Sequence, residues 1–408
     1  MKILHISARD CNGGANRAGF RIHEAQVNHG LKSRFFAQQN SIISPHSFGP
    51  RSKIGSKIGA QIRSGIDRWR YAKTISKEGR ECSVNWCPGS LIPQSEIEEA
   101  DIINLHFINE AVMPNNLMQL KGKKIIWTLH DMWPFSGIEH YSEESDRSLW
   151  ASGELQGKSR FDRLNHAVLR RKLKAYQRLD LKIACPSKWL AKLARKSVLF
   201  SGKDVHVIPN PINGDTYKPV IKSHAKELLN LNPSKRHILF GVDPTASNSF
   251  RKGGDILFEA IKRLPTSLRN DVEVLTFGGD GECFEINGFI GHHIGSFKDE
   301  MSLRIVYSAA DVFVAPSRQD NLPNTILEAF SCGTPAVAFS IGGMTDMITH
   351  NRNGYLAQPY CPSDLAHGIQ SILDTNSDVN AYAKETALAE YNPSRIAKMY
   401  LDLYHNFA

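Results

Sequence analysis

The sequence has no run of about 18 apolar residues, the length a bilayer-spanning helix needs, so no helical membrane span is expected. Its opening stretch, MKILHISARD, turns polar after one short apolar run. It reads as a buried first strand rather than an export signal, and the expected address is the cytoplasm. Cysteine is sparse and scattered: Cys11, Cys82, Cys87, Cys185, Cys283, Cys332 and Cys361. Only Cys82 and Cys87 lie close together. No second Cys or His pair at ligand spacing accompanies them, which argues against a zinc site and for reduced thiols. Two aspartates never stand in an Asp-x-Asp arrangement. That motif is a common way to hold a divalent ion on a nucleotide diphosphate, so no metal is expected. Solenoid-length repeats and low-complexity tracts are also missing, which excludes repeat arrays and long disordered linkers.

What is present fits a soluble α/β protein. With 408 residues, the chain is too long for one ordinary core and long enough for two domains. Its net charge of +9 is unevenly placed. Residues 1–210 carry 33 lysines and arginines against 19 aspartates and glutamates, a net +14; the remainder carry 17 against 22, a net −5. The basic half should meet something anionic.

Short apolar runs alternate with helical segments throughout. The first half has Lys2–Ser7, Ser33–Ala37, Asp101–His106, Lys124–Leu129, Leu181–Cys185 and Val205–Ile208. The second has His237–Val242, Val272–Phe277, Phe289–Ile294, Val312–Ala315 and Ala336–Phe339. Continuous runs of this kind suit parallel strands covered on both faces, and their alternation with helices predicts βαβ units in doubly wound sheets. The proline-rich stretch Ile208–Pro219 divides the halves. The expected organisation is one Rossmann-like domain over residues 1–210 and a second over 211–390. Residues 391–408 form a terminal helix able to pack back on the first. Within Pro393–Phe407, Ile396, Met399, Tyr400, Leu403 and Tyr404 share one helical face.

In doubly wound folds ligands bind beyond the carboxyl ends of the strands, so the residues just after each strand carry the chemistry. The richest such stretch is Ser317–Phe339. Asn321, Leu322, Pro323, Asn324 and Thr325 predict a turn opening a helix, whose first N–H groups suit a phosphate. Glu328 falls about one turn into that helix, where a carboxylate can accept two hydrogen bonds from a ribose diol. Asp320 precedes the turn, within reach of a sugar hydroxyl. The same acids also suit a helix dipole with no ligand at all.

Arg251, Lys252 and Gly253 follow another strand, where paired cations beside a glycine can bind a diphosphate or simply face solvent. Gly13 and Gly14, after the first strand, permit close backbone approach or make a tight turn. His130 and Asp131 end the fourth strand of the first half. There a histidine is either a donor to an anomeric or phosphate oxygen or a structural cap. His106 ends another strand, with the same two readings. Trp133-Pro134-Phe135 and Glu139-His140-Tyr141 offer aromatic faces to a sugar or to a core. Residues 51–73 place Ile54, Ile58, Ile62, Ile66 and Trp69 at helical spacing among Lys53, Lys57, Arg63, Arg68, Arg70 and Lys73. Either the isoleucines pack inward, or the helix lies on an anionic membrane.

Taken in order, these motifs resemble those of retaining glycosyltransferase family 4, of the bacterial polysaccharide-biosynthesis type. Asp320 and Glu328 match two acids separated by seven residues with an intervening Leu-Pro, and Leu327–Gly333 matches an ending like L-E-A-x-x-C-G. Gly13-Gly14-Ala15, Thr128–Asp131, Pro186-Ser187, Ile208–Pro211, Lys252-Gly253 and Gly342-Gly343 extend the likeness over nearly the whole chain.

The resemblance implies the GT-B fold, two Rossmann-like domains facing a central cleft, with residues 1–210 the acceptor-side domain and 211–390 the nucleotide-sugar-binding one. It implies metal-independent transfer of a hexose or related sugar from a UDP- or GDP-sugar to a glycan or lipid-linked acceptor, in O-antigen, capsule or exopolysaccharide synthesis. Glu328 would hold the ribose and Asp320 the donor sugar. Lys252 and His130 match the family's lysine and the histidine near the reactive centre. Asn321, Leu322, Asn324 and Thr325 would line the donor, and Gly13 and Gly14 the phosphates or acceptor. Two departures stand out. The first acid is usually Glu, and the family's Arg several residues before the Lys is missing, with Arg251 as its substitute. A nucleotide-sugar 2-epimerase shares this fold and is the main alternative. Nucleic-acid binding rests only on the basic half and has no motif behind it.

Overall fold

Apolar runs of Val, Ile, Leu and Phe become strands because each can be covered on both faces. The computed structural model describes the chain except residues 12, 42–43, 51–58, 60–61, 63–64, 67–80, 86–91, 110, 242–249, 280, 298, 376–377 and 408. It divides into two units, one of Met1–Pro211 with Pro393–Ala408, the other of Ile212–Asn392.

In the first unit, β1 (Lys2–Arg9), β2 (Lys32–Gln39), β3 (Ser47–Phe48), β4 (Ile102–Leu105), β5 (Lys124–Thr128), β6 (Asp180–Cys185) and β7 (Val205–Val207) form one sheet. Their spatial order is β3-β2-β1-β4-β5-β6-β7, and every pairing is parallel. The strand order reverses between β1 and β4, the point where such sheets bind ligands. Alternate residues feed opposite faces. Leu4, Ile103, Ile125 and Ile183 enter one core cluster, whereas Ile3, Ile102, Ile126 and Ala184 enter another. The second cluster is completed by Ile396, Tyr400, Leu403 and Tyr404 of the helix Pro393–His405, which packs on this sheet. Burying Ile396 and Leu403 alone contributes about 3–6 kcal/mol. Across the sheet, the helix Arg160–Tyr176 is opened by a capping box between Ser159 and Asp162.

The second unit contains β8 (Arg236–Gly241), β9 (Val272–Phe277), β10 (Phe284–Ile286), β11 (Phe289–His293), β12 (Val312–Ala315), β13 (Ala336–Phe339) and β14 (Gly354–Ala357). Their order is β10-β11-β9-β8-β12-β13-β14. Only β10 runs antiparallel, joined to β11 through Asn287 and Gly288, both at positive φ. Here the order reverses between β8 and β12. Among the described residues, no helix is long and apolar enough to cross a membrane.

Candidate functional site

The second unit gathers charge at its β8/β12 switch point. β12 ends at Ala315, and the chain turns through Ser317–Pro323 into the helix Asn324–Ser331. Pro323 stands at the N-cap and supplies no side-chain cap. A helix start of this kind has N–H groups suited to an anion. Arg251 and Lys252 come from the segment after β8 and precede the helix Gly254–Ile261. Gly253 lets this segment lie against the β12 end: φ is +70°, and a Cβ there would stand 1.9 Å from the Pro316 carbonyl oxygen. Residues 242–249, immediately before, lie outside the described residues.

Asp320 is the hub of this cluster. Lys252 Nζ donates to its Oδ2 at 2.7 Å, Arg251 Nη1 stands 3.6 Å from the same oxygen, and the Asn321 N–H donates to Oδ1 at 3.0 Å. Burial pushes the Asp320 carboxyl up, but Lys252 and Arg251 outweigh it and hold the group below the usual carboxylate range. Asp320 is therefore a charged acceptor at neutral pH. Its backbone carbonyl accepts from Gly343 N–H at 3.0 Å, which ties the loop after β13 to the same place. Asn321 and Leu322 are buried, while Asn324 and Thr325 are half-buried at the helix start.

Glu328 lies within this helix, only 2% exposed, and Tyr307 Oη donates to its Oε2 at 2.8 Å. Burial, and then the Glu328 carboxylate, raise the Tyr307 phenol well above its usual range, so Tyr307 stays a donor. Sequence reading missed Tyr307, because nothing in the helix Glu300–Ala309 marks one buried tyrosine as the partner of an acid two elements away.

The first unit places its candidates at the β1/β4 switch point and beside it. Gly13, at φ +87°, caps the helix Gly14–Asn28, and both glycines are exposed. Asn16 Oδ1 accepts from Ser7 Oγ at 2.9 Å, pinning the helix start to the end of β1. His130 follows β5, half-buried, with its Nε2 3.1 Å from His106 Nδ1. Burial pushes the His130 imidazole down to about 4, so it is neutral near pH 7.

The loop after His130 is braced from within. His140 Nδ1 lies 2.6 Å from Asp131 Oδ2, and the Trp133 N–H donates to Asp131 Oδ1 at 2.9 Å. The fully buried Lys172 donates to the carbonyls of Trp133, Ser136 (3.3 Å) and Gly137 (2.7 Å), and its Nζ sits 3.3 Å from the Trp133 ring centroid. Of the two readings open for Trp133 and Phe135, packing wins. Both are at most 1% exposed, and both belong to the main core cluster.

Among the described residues, no group of three or more His, Cys, Asp and Glu side chains is placed to hold a metal ion. The stretch 51–73 lies largely outside the described residues. Of its isoleucines, Ile62 and Ile66 are described, 57% and 41% exposed.

Residues 13–216 match the family model described as Glycosyltransferase Family 4, and residues 245–375 match the one described as Glycosyl transferases group 1. The chain is 25% identical over 324 residues to the D-inositol 3-phosphate glycosyltransferase of Pseudarthrobacter chlorophenolicus, covering 75% of this chain and 70% of that protein. It spans about half the length of most other curated relatives it matches, 40–51%. Among solved structures, sucrose-phosphate synthase from Thermosynechococcus elongatus superimposes with a TM-score of 0.68 at 18% identity, covering 100% of this chain and 99% of that one. HepE of Anabaena, in complex with UDP and glucose, gives 0.62 at 15% identity, covering 99% of each chain. At such identities the likeness is one of fold, the paired parallel α/β domains of GT-B proteins.

Proposed function

Because this chain belongs to glycosyltransferase family 4, we propose that it moves a hexose or related sugar from a UDP- or GDP-sugar to a glycan or lipid-linked acceptor, with retention of anomeric configuration. The observation that carries this reading is the cluster of Arg251, Lys252 and Asp320 at the β8/β12 switch point, beside the helix that bears Glu328. Glu328, held by Tyr307, accepts hydrogen bonds from the ribose. Lys252, Arg251 and the start of helix Asn324–Ser331 stabilise the charge that develops on the departing diphosphate. Asp320 contacts the donor sugar and orients Lys252. His130 contacts a reacting sugar, and Gly13-Gly14 lets backbone approach the phosphates or acceptor. The UDP and glucose bound by HepE support a nucleotide-sugar donor.

Two cations without an Asp-x-Asp pair support metal-independent transfer. Thermal melts across a panel of nucleoside diphosphates in excess EDTA test donor and metal together. UDP or GDP should raise the midpoint, because a ligand that binds only the native state adds apparent stability. Transfer should persist in the same buffer and require an acceptor, which separates it from epimerisation. Shifts and turnover seen only after Mg²⁺ or Mn²⁺ is restored would sink the metal-independent mechanism.

The setting proposed is polysaccharide assembly at the cytoplasmic membrane face. The net +14 of residues 1–210 supports it, as do the exposed Ile62 and Ile66 within the basic stretch. Replacing Lys53, Lys57, Arg63 and Arg68 with Gln should reduce co-sedimentation with anionic vesicles, most visibly at low salt. Unchanged co-sedimentation of the folded variant would remove that role.

A further inference from the structure

The helix Arg160–Tyr176 carries a stripe of positive charge toward its C-terminal end. Arg170, Lys174 and Arg178 stand four residues apart, and Arg171 lies three residues before Lys174. Like charges at these spacings oppose one another on a helix. The helix dipole favours cations at the last turn only, so it supports Lys174 and Arg178 but not Arg170 or Arg171. Among the described residues, the side chains of Arg170, Lys174 and Arg178 have no hydrogen-bond or ion-pair partner. The nearest acid in sequence, Asp180, forms no ion pair with any of these three.

These cations border a groove of about 900 Å³ beside the 3₁₀ helix Pro114–Leu120, a volume suited to a small ligand. Met118, Leu173 and Ala175 supply its apolar wall. Of its eight lining residues, four are cations and none is an acid. Arg171 is fixed at the groove, because its Nη2 donates to the carbonyls of Val84 at 3.1 Å and Asn85 at 2.9 Å. The helix Arg160–Tyr176 runs into the start of β6, and the 3₁₀ helix runs into the start of β5. The groove therefore lies toward the amino-terminal ends of these strands, whereas ligands of such sheets bind beyond the carboxyl ends, where His130 stands.

The charge selects the occupant. Guanidinium groups present planar forks that match phosphate oxygens in pairs, and Lys174 adds a point charge. One singly charged anion would leave most of four cations unmatched. We propose that this groove binds an anion carrying two or more phosphates, at a site separate from sugar transfer. Those phosphates belong either to a free polyphosphorylated molecule or to a lipid headgroup, which present the same chemistry to the groove.

Calorimetry with tripolyphosphate tests the site, with UDP in excess to fill the proposed donor site. The wild-type chain should bind the probe. Replacing Arg170, Lys174 and Arg178 together with Gln should weaken that binding roughly tenfold or more. All three side chains are exposed, so the fold does not depend on them. Replacing the exposed Lys32, Lys192 and Lys398 with Gln removes the same charge elsewhere in the first unit and should leave the affinity within about twofold. Hydrogen exchange should slow on binding in peptides that span 170–178. The groove variant should bind UDP as the wild type does, which keeps this test apart from the reading of the donor site.

Competition then assigns the source. Release of the probe by ATP points to a free ligand. Release by vesicles containing phosphatidic acid, but not by phosphatidylcholine alone, points to a headgroup. No binding by the wild-type chain overturns the site and leaves the stripe as a solvated helix face. An equal loss in the two triple variants also overturns it, since net charge alone would then explain the binding.

Discussion

Glu328→Ala is expected to weaken binding of the nucleoside diphosphate by roughly 10- to 150-fold and nearly to abolish transfer. A hydrogen bond to a charged group is worth about 1.5–3 kcal/mol, and about 1.4 kcal/mol is one decade in affinity. The substitution also strips Tyr307 Oη of its carboxylate partner inside the core, a cost of about 1–3 kcal/mol in stability. Glu328→Gln separates the two effects. Its amide oxygen can still accept from Tyr307, while the charge that strengthens the ribose contact is gone. Glutamine should therefore keep the melting temperature near wild type and still lose about tenfold in affinity. Asp320→Asn should act differently. The bare nucleotide should bind within a few-fold of wild type, because Lys252 and Arg251 remain, while sugar transfer falls. Calorimetry with the nucleoside diphosphate, beside turnover with the full donor, reads the two roles apart. A folded Glu328→Ala that binds as tightly as wild type would remove the ribose assignment and with it the main support for this donor site.

Much of this architecture was readable because parallel strands advertise themselves. Val272–Phe277, Val312–Ala315 and Ala336–Phe339 fall where continuous apolar runs predict them, and the other predicted strands differ by one or two residues at one or both ends, with Val242 outside the described residues. The missed strands are all peripheral. Ser47–Phe48 is too short for an apolar run to stand out, Gly354–Ala357 opens on a glycine and has no β-branched residue, and both lie at sheet edges. Phe284–Ile286 was available: it is bounded by Asn287-Gly288, the turn pair that favours a two-residue hairpin.

The candidate site divides in the same way. Asp320, Lys252 and Arg251 stand in adjacent strand-end loops, so topology predicts their meeting. Tyr307 and the hydrogen-bonded line His106–His5–Gln26–Tyr404 behind His130 do not announce themselves, because a hydrogen bond among buried side chains leaves no periodic trace in sequence. On the C-terminal helix, the apolar stripe was legible in Ile396, Tyr400, Leu403 and Tyr404, but not the use of its hydroxyls. Tyr400 Oη lies 2.9 Å from Thr128 Oγ1, and Tyr404 Oη accepts from Gln26.

The same buried imidazoles should make the first unit acid-sensitive between pH 6.5 and about 4. Burial pushes His5 down to about 4, His23 to about 2 and His106 well below its ordinary value. Their hydrogen bonds go to Gln26, to Ser33 and to one another or His130, so a protonated ring gains no carboxylate from those partners. A depressed folded pKa means that the unfolded chain takes up protons first. The stability these rings confer is fully present above pH 6.5 and is lost as pH falls toward the folded values. At pH 5 His5 and His23 each cost about 2 kcal/mol, and His106 acts in the same direction, a sizeable part of the net stability of a domain. Urea midpoints at pH 7.5, 6 and 5 should therefore fall steeply, with hydrogen exchange opening first in peptides from β1, β2 and the helix Gly14–Asn28. His23→Gln supplies the control, since its amide can still meet Ser33 Oγ but does not titrate. It should reduce the dependence of stability on pH below 6 by about 1.4 kcal/mol per pH unit. A wild-type protein equally stable at pH 7.5 and 5, or a His23→Gln variant with an unchanged slope, would show that these rings do not govern acid unfolding.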